Sequence, residues 1–374
     1  MMNILVMFGG ISAEHEVSVI SGLQVLESID RNKYTTHPIY QTRDGEFLLL
    51  PKITTRKDFR PRNGVVVSFG RDKKGPFIRK AGIGGRKIYI YASFMAFHGG
   101  PGEDGRIQGL LESLELPHTS PSAESSAITM NKSLTKEVFL QNNLPALKSV
   151  SFTDEDVKLN LERSSKNAMK ELSLPIIVKP SHLGSSIGIN IAKDETELQR
   201  FMLSAAMIDK EILLEKCISN FKEYNCAVRK VNGQIEVSQI EKPLGKDEIL
   251  SFADKYQRGG KKTGGMASSS REIPAKISDQ LRDSIVATAK KAYSACRCES
   301  MVRIDFMYHE NELFITEINS IPGSLAFYLW EASGITFRQQ ITDLIEQAVI
   351  DSEDNRKKRL EYKTDIIQKF VSGN

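Results

Sequence analysis

The chain has 374 residues, of which 40% are hydrophobic and 26% charged, with a formal net charge of +4. That composition excludes a disordered or collagen-like chain, and so small a charge with both signs interspersed excludes the basic field needed to grip a nucleic-acid backbone. The length exceeds what one core usually organises, so two or three packed domains are expected.

The amino terminus, MMNILVMFGGISAE, carries an apolar run that meets glycines too soon for a signal peptide or membrane span, so a cytoplasmic protein with no membrane partner is expected. Residues 3–8, NILVMF, predict a strand, Gly9-Gly10 a turn, and the helical period from Glu16 to Leu26 a helix. The unit recurs where IYIYASFMAF (88–97) meets HGGPGEDG (98–105) and RIQGLLESLEL. Such alternation predicts an α/β fold with an open parallel sheet in the first 120 or so residues. Pro117 and PSAESS (121–126) place a boundary near 125, before a helix over Lys132 to Asn142. LPIIVKP (174–180) and EILLEK (211–216) read as strands, with a helix from Glu195 to Met207 between them.

CAVRKVNGQIEVSQIE alternates around Asn232-Gly233 as a hairpin does, then a Gly/Ser/Lys-rich loop (259–270) precedes a helix from Ser278 to Ala295. The strands SMVRIDFMY and ELFITEIN flank the turn His309-Glu310-Asn311, and the charged tail reads as a solvated helix. The expected division is 1–125, 126–217, 218–350 and a tail at 351–374. Cys217, Cys226, Cys296 and Cys298 lack CxxC or zinc-like spacing and are expected as reduced thiols.

If 302–306 and 314–319 pair, Asp305, Glu317 and Asn319 come within reach of one another, and two carboxylates with an amide suit magnesium held jointly with nucleotide phosphates. Salt-bridged or solvent-facing acids would read the same way. Lys179 precedes the small-residue loop 182–188, whose backbone N–H groups can cradle phosphate, although no Walker A follows and a plain turn fits too. Gly100 to Gly105 matches GxGxxG, but Glu103 and Asp104 would set two negative charges where a pyrophosphate should sit. A turn with both carboxylates at a helix N-terminus is preferred. Glu14 and Ser18 follow the first strand, where a carboxylate can grip an ammonium group; capping by Ser12 explains the segment equally.

In this order GGISAEHEVS, HGGPGEDGRIQG, ITMNKSLTK, PIIVKPSHLGSSIG, ILLEK, DKY, VRIDF and EINSIPG resemble the D-alanine–D-alanine ligase family of ATP-grasp enzymes, from residue 3 to about 345. The resemblance implies a three-domain ATP-grasp fold that joins two D-alanines through an acyl phosphate for peptidoglycan precursor synthesis. It implies Lys132 and Lys179 on the phosphates of ATP, Lys255 at the γ-phosphate, Glu215 and Lys216 at the adenine, and Glu223 on the ribose. Asp305, Glu317 and Asn319 would hold two Mg2+ ions, with Mn2+ an alternative. Glu14 would bind the first ammonium group, Ser185 and Tyr256 would join it to close the site, and Arg303 with the N–H of Gly323 would stabilise the oxyanion. Homodimers are common in the family, and the partners expected are small amino acids.

One departure concerns the acceptor. The family continues after EINSIPG to a serine-leucine pair that receives the second carboxylate, whereas by position Tyr328 and Leu329 stand there in this chain. Acceptors such as D-serine, D-lactate or a bulkier amino acid, and a non-catalytic ATP-binding module, are the alternatives.

Overall fold

A computed structural model describes residues 1–82, 84–244, 271–358 and 364–372. Lys255 and Tyr256, and the Gly/Ser/Lys-rich loop around 259–270, lie outside the described residues.

The first unit runs β1 (Met2–Gly9), α1 (His15–Ser28), β2 (Tyr34–Gln41), β3 (Phe47–Leu49), β4 (Val65–Asp72), β5 (Gly75–Lys80), β6 (Lys87–Tyr89), β7 (Ala92–Met95) and α2 (Arg106–Ser113). Its seven strands lie in the order β6-β5-β4-β3-β2-β1-β7. β1 pairs parallel with β2 and β7, and Ile4 to Phe8 are fully buried, as a strand covered on both faces requires. β3 to β6 extend the sheet antiparallel, which the expectation of a parallel sheet had not placed. The expected single strand over 88–97 divides in two. Only Ile90 and Tyr91 separate β6 from β7, yet these strands end opposite sides of the order, so the sheet curls back on itself.

After α3 (Ala123–Met130) and α4 (Lys132–Gln141), the central unit comprises β8 (Ser149–Thr153), α5 (Asp154–Leu172), β9 (Ile176–Pro180), β10 (Asn190–Ala192), α6 (Glu195–Ala206) and β11 (Glu211–Lys216). Its sheet has the order β10-β9-β11-β8, and its own core joins Val157, Leu198, Met202 and Leu214. The last unit holds β12 (Lys222–Val231), β13 (Gln234–Val237), the short pair β14 (Lys242–Pro243) and β15 (Arg271–Glu272), α7 (Asp279–Ala295), β16 (Val302–His309) and β17 (Glu312–Asn319). Its main sheet has the order β13-β12-β16-β17, and its core draws in Phe139 of α4.

The chain then returns to its beginning. α8 (Phe327–Glu331) and α9 (Phe337–Lys357) put Leu329, Trp330, Ile341 and Leu344 into the core built on β1. The first 125 residues therefore share their core with residues far along the chain. The tail is α10 (Ile366–Ser372), which exposes Ile366, Ile367, Phe370 and Val371 beside its charges. Among the described residues no helix is long and apolar enough to cross a membrane.

Gly22 shows how tightly α1 sits on β1. A Cβ added there would lie 2.4 Å from Phe8 Cγ, in a ring that is fully buried. Gly22→Ala should therefore lower stability by about 1–3 kcal/mol through overpacking, despite alanine's better helix propensity. Denaturant unfolding checks this; an unchanged or higher midpoint would show that the helix can move off the sheet freely.

Candidate active site

The register of the last sheet assembles one wall. Asp305 lies opposite Asn225 and Glu317, and Arg303 opposite Ala227 and Asn319. Directly paired residues share a face, so Arg303, Asp305, Glu317 and Asn319 project together, with Glu223 two residues before Asn225 on the same side and exposed. Arg303 donates through Nε and Nη2 to the two oxygens of Asp305, each at 2.7 Å, and Asn319 Nδ2 donates to Asp305 at 3.2 Å. The register shifts just after Asp305, where Thr316 donates its hydroxyl to the Asp305 carbonyl at 2.9 Å. Among the described residues no three His, Cys, Asp or Glu gather as a metal cage. Two carboxylates and an amide oxygen fit magnesium, which takes its remaining oxygens from water and phosphate.

The opposite wall comes from α4 and the loop after β9. Asn131 caps α4 by accepting from Leu134 N–H, and this fixes Lys132 at the first helical position. Lys132 Nζ donates to the Leu183 carbonyl at 2.7 Å. Ser185 and Ser186 take left-handed backbone angles, φ 52° and 59°, and the Ser185 hydroxyl donates to the Glu14 carboxylate. Gly184 permits this approach, since a Cβ there would stand 2.9 Å from Glu14 Oε2. Glu14 immediately precedes α1. Ser12 accepts from Glu14 N–H and does not cap α1, while Ser18 accepts from Gly9 N–H and donates to the Ala96 carbonyl, so both serve structure.

Behind this wall Lys179 pairs with Glu215, and so does Lys136 from α4. Burial would raise the Glu215 carboxyl, but the two ammonium groups outweigh it and hold its pKa at about 2. Lys216, the next residue, is exposed.

Two groups of the HGGPGEDG segment clamp the backbone before Gly323. His98 Nδ1 donates to the Ile321 carbonyl at 2.9 Å and its Nε2 accepts from the Ser21 hydroxyl at 2.7 Å, which defines the tautomer because a carbonyl only accepts. Burial, with Arg303 nearby, pushes its pKa down to about 4, so the ring is neutral. Glu103 accepts from Gly99 N–H (2.8 Å), Ile321 N–H (3.2 Å) and the Ser320 hydroxyl (3.3 Å). Burial and the nearby Glu14 push its carboxyl up to about 7. Of the two carboxylates expected at a helix N-terminus, only Asp104 sits there, accepting from Arg106 N–H; Glu103 turns inward because Ile321 N–H and the Ser320 hydroxyl offer it donors.

One cavity gathers Glu14, Glu103, Lys132, Ser185, Arg303, Glu317, Asn319 and Gly323. A separate cavity lined by Glu112, His118, Lys230, Glu299 and Asp351 contains none of them. Two acceptor candidates are not brought in. Leu329 is fully buried in the β1 core, because α8 must cover that core, and it presents no surface to a ligand. Tyr328 donates to Glu241 at 3.3 Å and its ring lies 4.0 Å under the Arg271 guanidinium, outside the cavity lining. Sequence reasoning missed His98 and Lys136. The spacing of Lys132 and Lys136, four residues apart on one helix, was a signal for the latter.

Comparison with known proteins finds the family model described as D-ala D-ala ligase N-terminus over residues 3–121, and that described as D-ala D-ala ligase C-terminus over 138–346. The D-alanine–D-alanine ligases of Thermosipho africanus and Thermosipho melanesiensis are each 36% identical over 98% of this chain, spanning 98% and 99% of those proteins. Among solved structures, the D-alanine–D-alanine ligase of Coxiella burnetii superposes with a TM-score of 0.79 at 25% identity, over 96% of this chain and 98% of that one. A D-Ala:D-Ser ligase of Enterococcus faecalis gives 0.76 at 27%, over 93% and 99%.

His98 yields a pH test. Its folded pKa lies below the ordinary value of 6.5, so the stability it contributes is present above pH 6.5 and lost as pH falls toward about 4. Relative to the parent, His98→Gln should lose about 3 kcal/mol of pH-dependence across that window. Glu103 titrates there with the opposite sign in both proteins and largely cancels in the difference. Denaturant unfolding at several pH values measures it, and parallel curves would show that His98 titrates normally.

Proposed function

The chain belongs to the D-alanine–D-alanine ligase family, and on that premise we propose that the cavity above joins two D-alanines at the expense of ATP, releasing ADP and phosphate, toward peptidoglycan precursors. The fold class is the α/β ATP-grasp architecture, and the activity is that of an ATP-dependent carboxylate-amine ligase using a divalent metal. One observation carries the residue assignment: Glu14 and Ser185, brought from two different domains, meet in the same cavity as Lys132, Arg303, Glu317 and Asn319.

A carboxylate is a poor electrophile, so it must first be activated. Glu14 receives the ammonium group of the first D-alanine, and Ser185 fixes that carboxylate by donating to it. Lys132 and Lys179 meet the triphosphate, the adenine lies beside Glu215 and Lys216, and Glu223 meets the ribose. Asp305, Glu317 and Asn319 would hold two magnesium ions, whose charge offsets that of the phosphate oxygens. The donor carboxylate oxygen attacks the γ-phosphorus, giving an acyl phosphate and ADP. The free amine of the second D-alanine then attacks the acyl carbon, and phosphate leaves as the amide forms. Arg303 and Gly323 N–H face the oxyanion, each such donor being worth about 3 kcal/mol. The clamp of His98 and Glu103 on 320–321 keeps the Gly323 backbone in place for this role. Lys255 at the γ-phosphate and Tyr256 beside Ser185 lie outside the described residues and stand as proposals from the family resemblance.

For the acceptor carboxylate the serine-leucine motif favours Ser324 over Tyr328. Ser324-Leu325 is itself a serine-leucine pair, four residues earlier than position alone suggested, and it follows directly on Gly323, which lines the cavity. We place the reaction in the cytoplasm, where ATP is available, and a homodimer is the assembly proposed from the family.

MgATP with D-alanine should release phosphate and yield D-alanyl-D-alanine; a preference for D-serine or D-lactate as second substrate would change the acceptor reading. Glu317→Gln should abolish turnover without altering the unfolding midpoint, because the metal site loses a charged ligand. Near-parent turnover at saturating magnesium would reject the metal assignment. Ser324→Ala should raise KM for the second D-alanine by roughly tenfold or more, the value of a hydrogen bond to a charged group, while Tyr328→Phe leaves it unchanged. The reverse pattern would return the acceptor role to Tyr328.

A further inference from the structure

Lys136 has no part in the assignments above, yet it is among the most deeply buried charges in the protein. It is 3% exposed, one helical turn beyond Lys132, and its ammonium pairs with one oxygen of Glu215 while Lys179 pairs with the other. Glu215 is likewise 3% exposed. One buried carboxylate thus serves two ammonium groups, which leaves this trio with an excess positive charge. Such an excess is costly away from water unless an anion approaches it.

Consider what nucleotide binding then requires. If Lys179 turns toward phosphate, a carboxylate with no other partner would be left buried and uncompensated, and the lysine would be held back. With Lys136 in place the carboxylate keeps a counter-charge, and the departure of Lys179 leaves a neutral pair behind. Resting on the reading of Lys179 as a phosphate ligand, we propose that Lys136 is a positioning residue that keeps Glu215 neutralised, so that Lys179 is released to the triphosphate of ATP.

The role is electrostatic, and this separates it from simple packing. Lys136→Met, which keeps the length of the side chain and removes its charge, should weaken MgATP binding by roughly tenfold or more. Adenosine, which has no phosphate, should bind nearly as it does to the parent. Lys136→Arg should stay close to the parent. Glu215→Gln removes the charge that Lys136→Met would strand, so the double variant should bind MgATP as Glu215→Gln alone does, whatever that substitution costs at the adenine.

The test is direct MgATP and adenosine binding by calorimetry, with circular dichroism to confirm folding. MgATP affinity unchanged in Lys136→Met overturns the proposal, as does equal weakening of ATP and adenosine. Should Lys136→Met fail to fold, Glu215→Gln and the double variant still decide, because neither contains the buried carboxylate. Equal MgATP affinity in these two supports the proposal; a further loss on removing Lys136 would make it a direct phosphate ligand and overturn it. Lys179→Ala separates the two levels. If it binds MgATP as the parent does, the phosphate assignment of Lys179 falls and this proposal with it; if it binds weakly while Lys136→Met does not, only the role of Lys136 falls.

Discussion

The antiparallel register of β16 on β12 and β17 is the constraint on which the site depends. Because side chains alternate along a strand, a slip of one residue would send Asp305 to the other face, into the place of Ile304 between Cys226 and Ile318. The apolar residues of the opposite face therefore oppose a slip. The shift just after Asp305 lets Thr316 meet the Asp305 carbonyl, and it confines the irregularity to the edge of the candidate metal site. The residues that need the greatest positional accuracy thus stand on the most strongly constrained element.

Around that wall the charges of the site stand in partnered sets. Arg303 rests on Asp305, Lys136 and Lys179 on Glu215, and Glu14 accepts from Ser185. Buried ions are retained only when paired, and removing one partner costs more than the pair contributes. A triphosphate and its metal enter this arrangement as further charges, so the pairs must be able to exchange partners. Glu103 and His98 differ. Burial keeps the His98 ring neutral and raises the Glu103 carboxyl, and both groups hold the 320–321 segment.

The domains are joined by more than the site. The β1 core accepts Leu329, Trp330 and Ile341 from the end of the chain, while the loop bearing Ser185 reaches Glu14 from the central unit. Closing such long loops is slow and entropically unfavourable. Once made, the contacts fix the segment from Ser320 to Ala326 between the first domain and the last sheet, where Gly323 meets the cavity.

Short-range physics made much of this legible. The alternation of VRIDF and FITEIN determined that Glu317 and Asn319 would share a face, the glycine turn after NILVMF determined where the first sheet presents Glu14, and the ordered motifs determined the family. Only the tertiary structure decided the rest, because burial and pairing are set by elements distant in sequence. It set Tyr328 between Arg271 and Glu241, placed Leu329 in the core of the first domain, and turned Glu103 inward to the donors of 320–321. Lys136 and Lys179 are 43 positions apart and Glu215 another 36, so nothing local marks them as partners. They meet because α4, β9 and β11 pack together, and a carboxylate buried at that junction must find its counter-charges there.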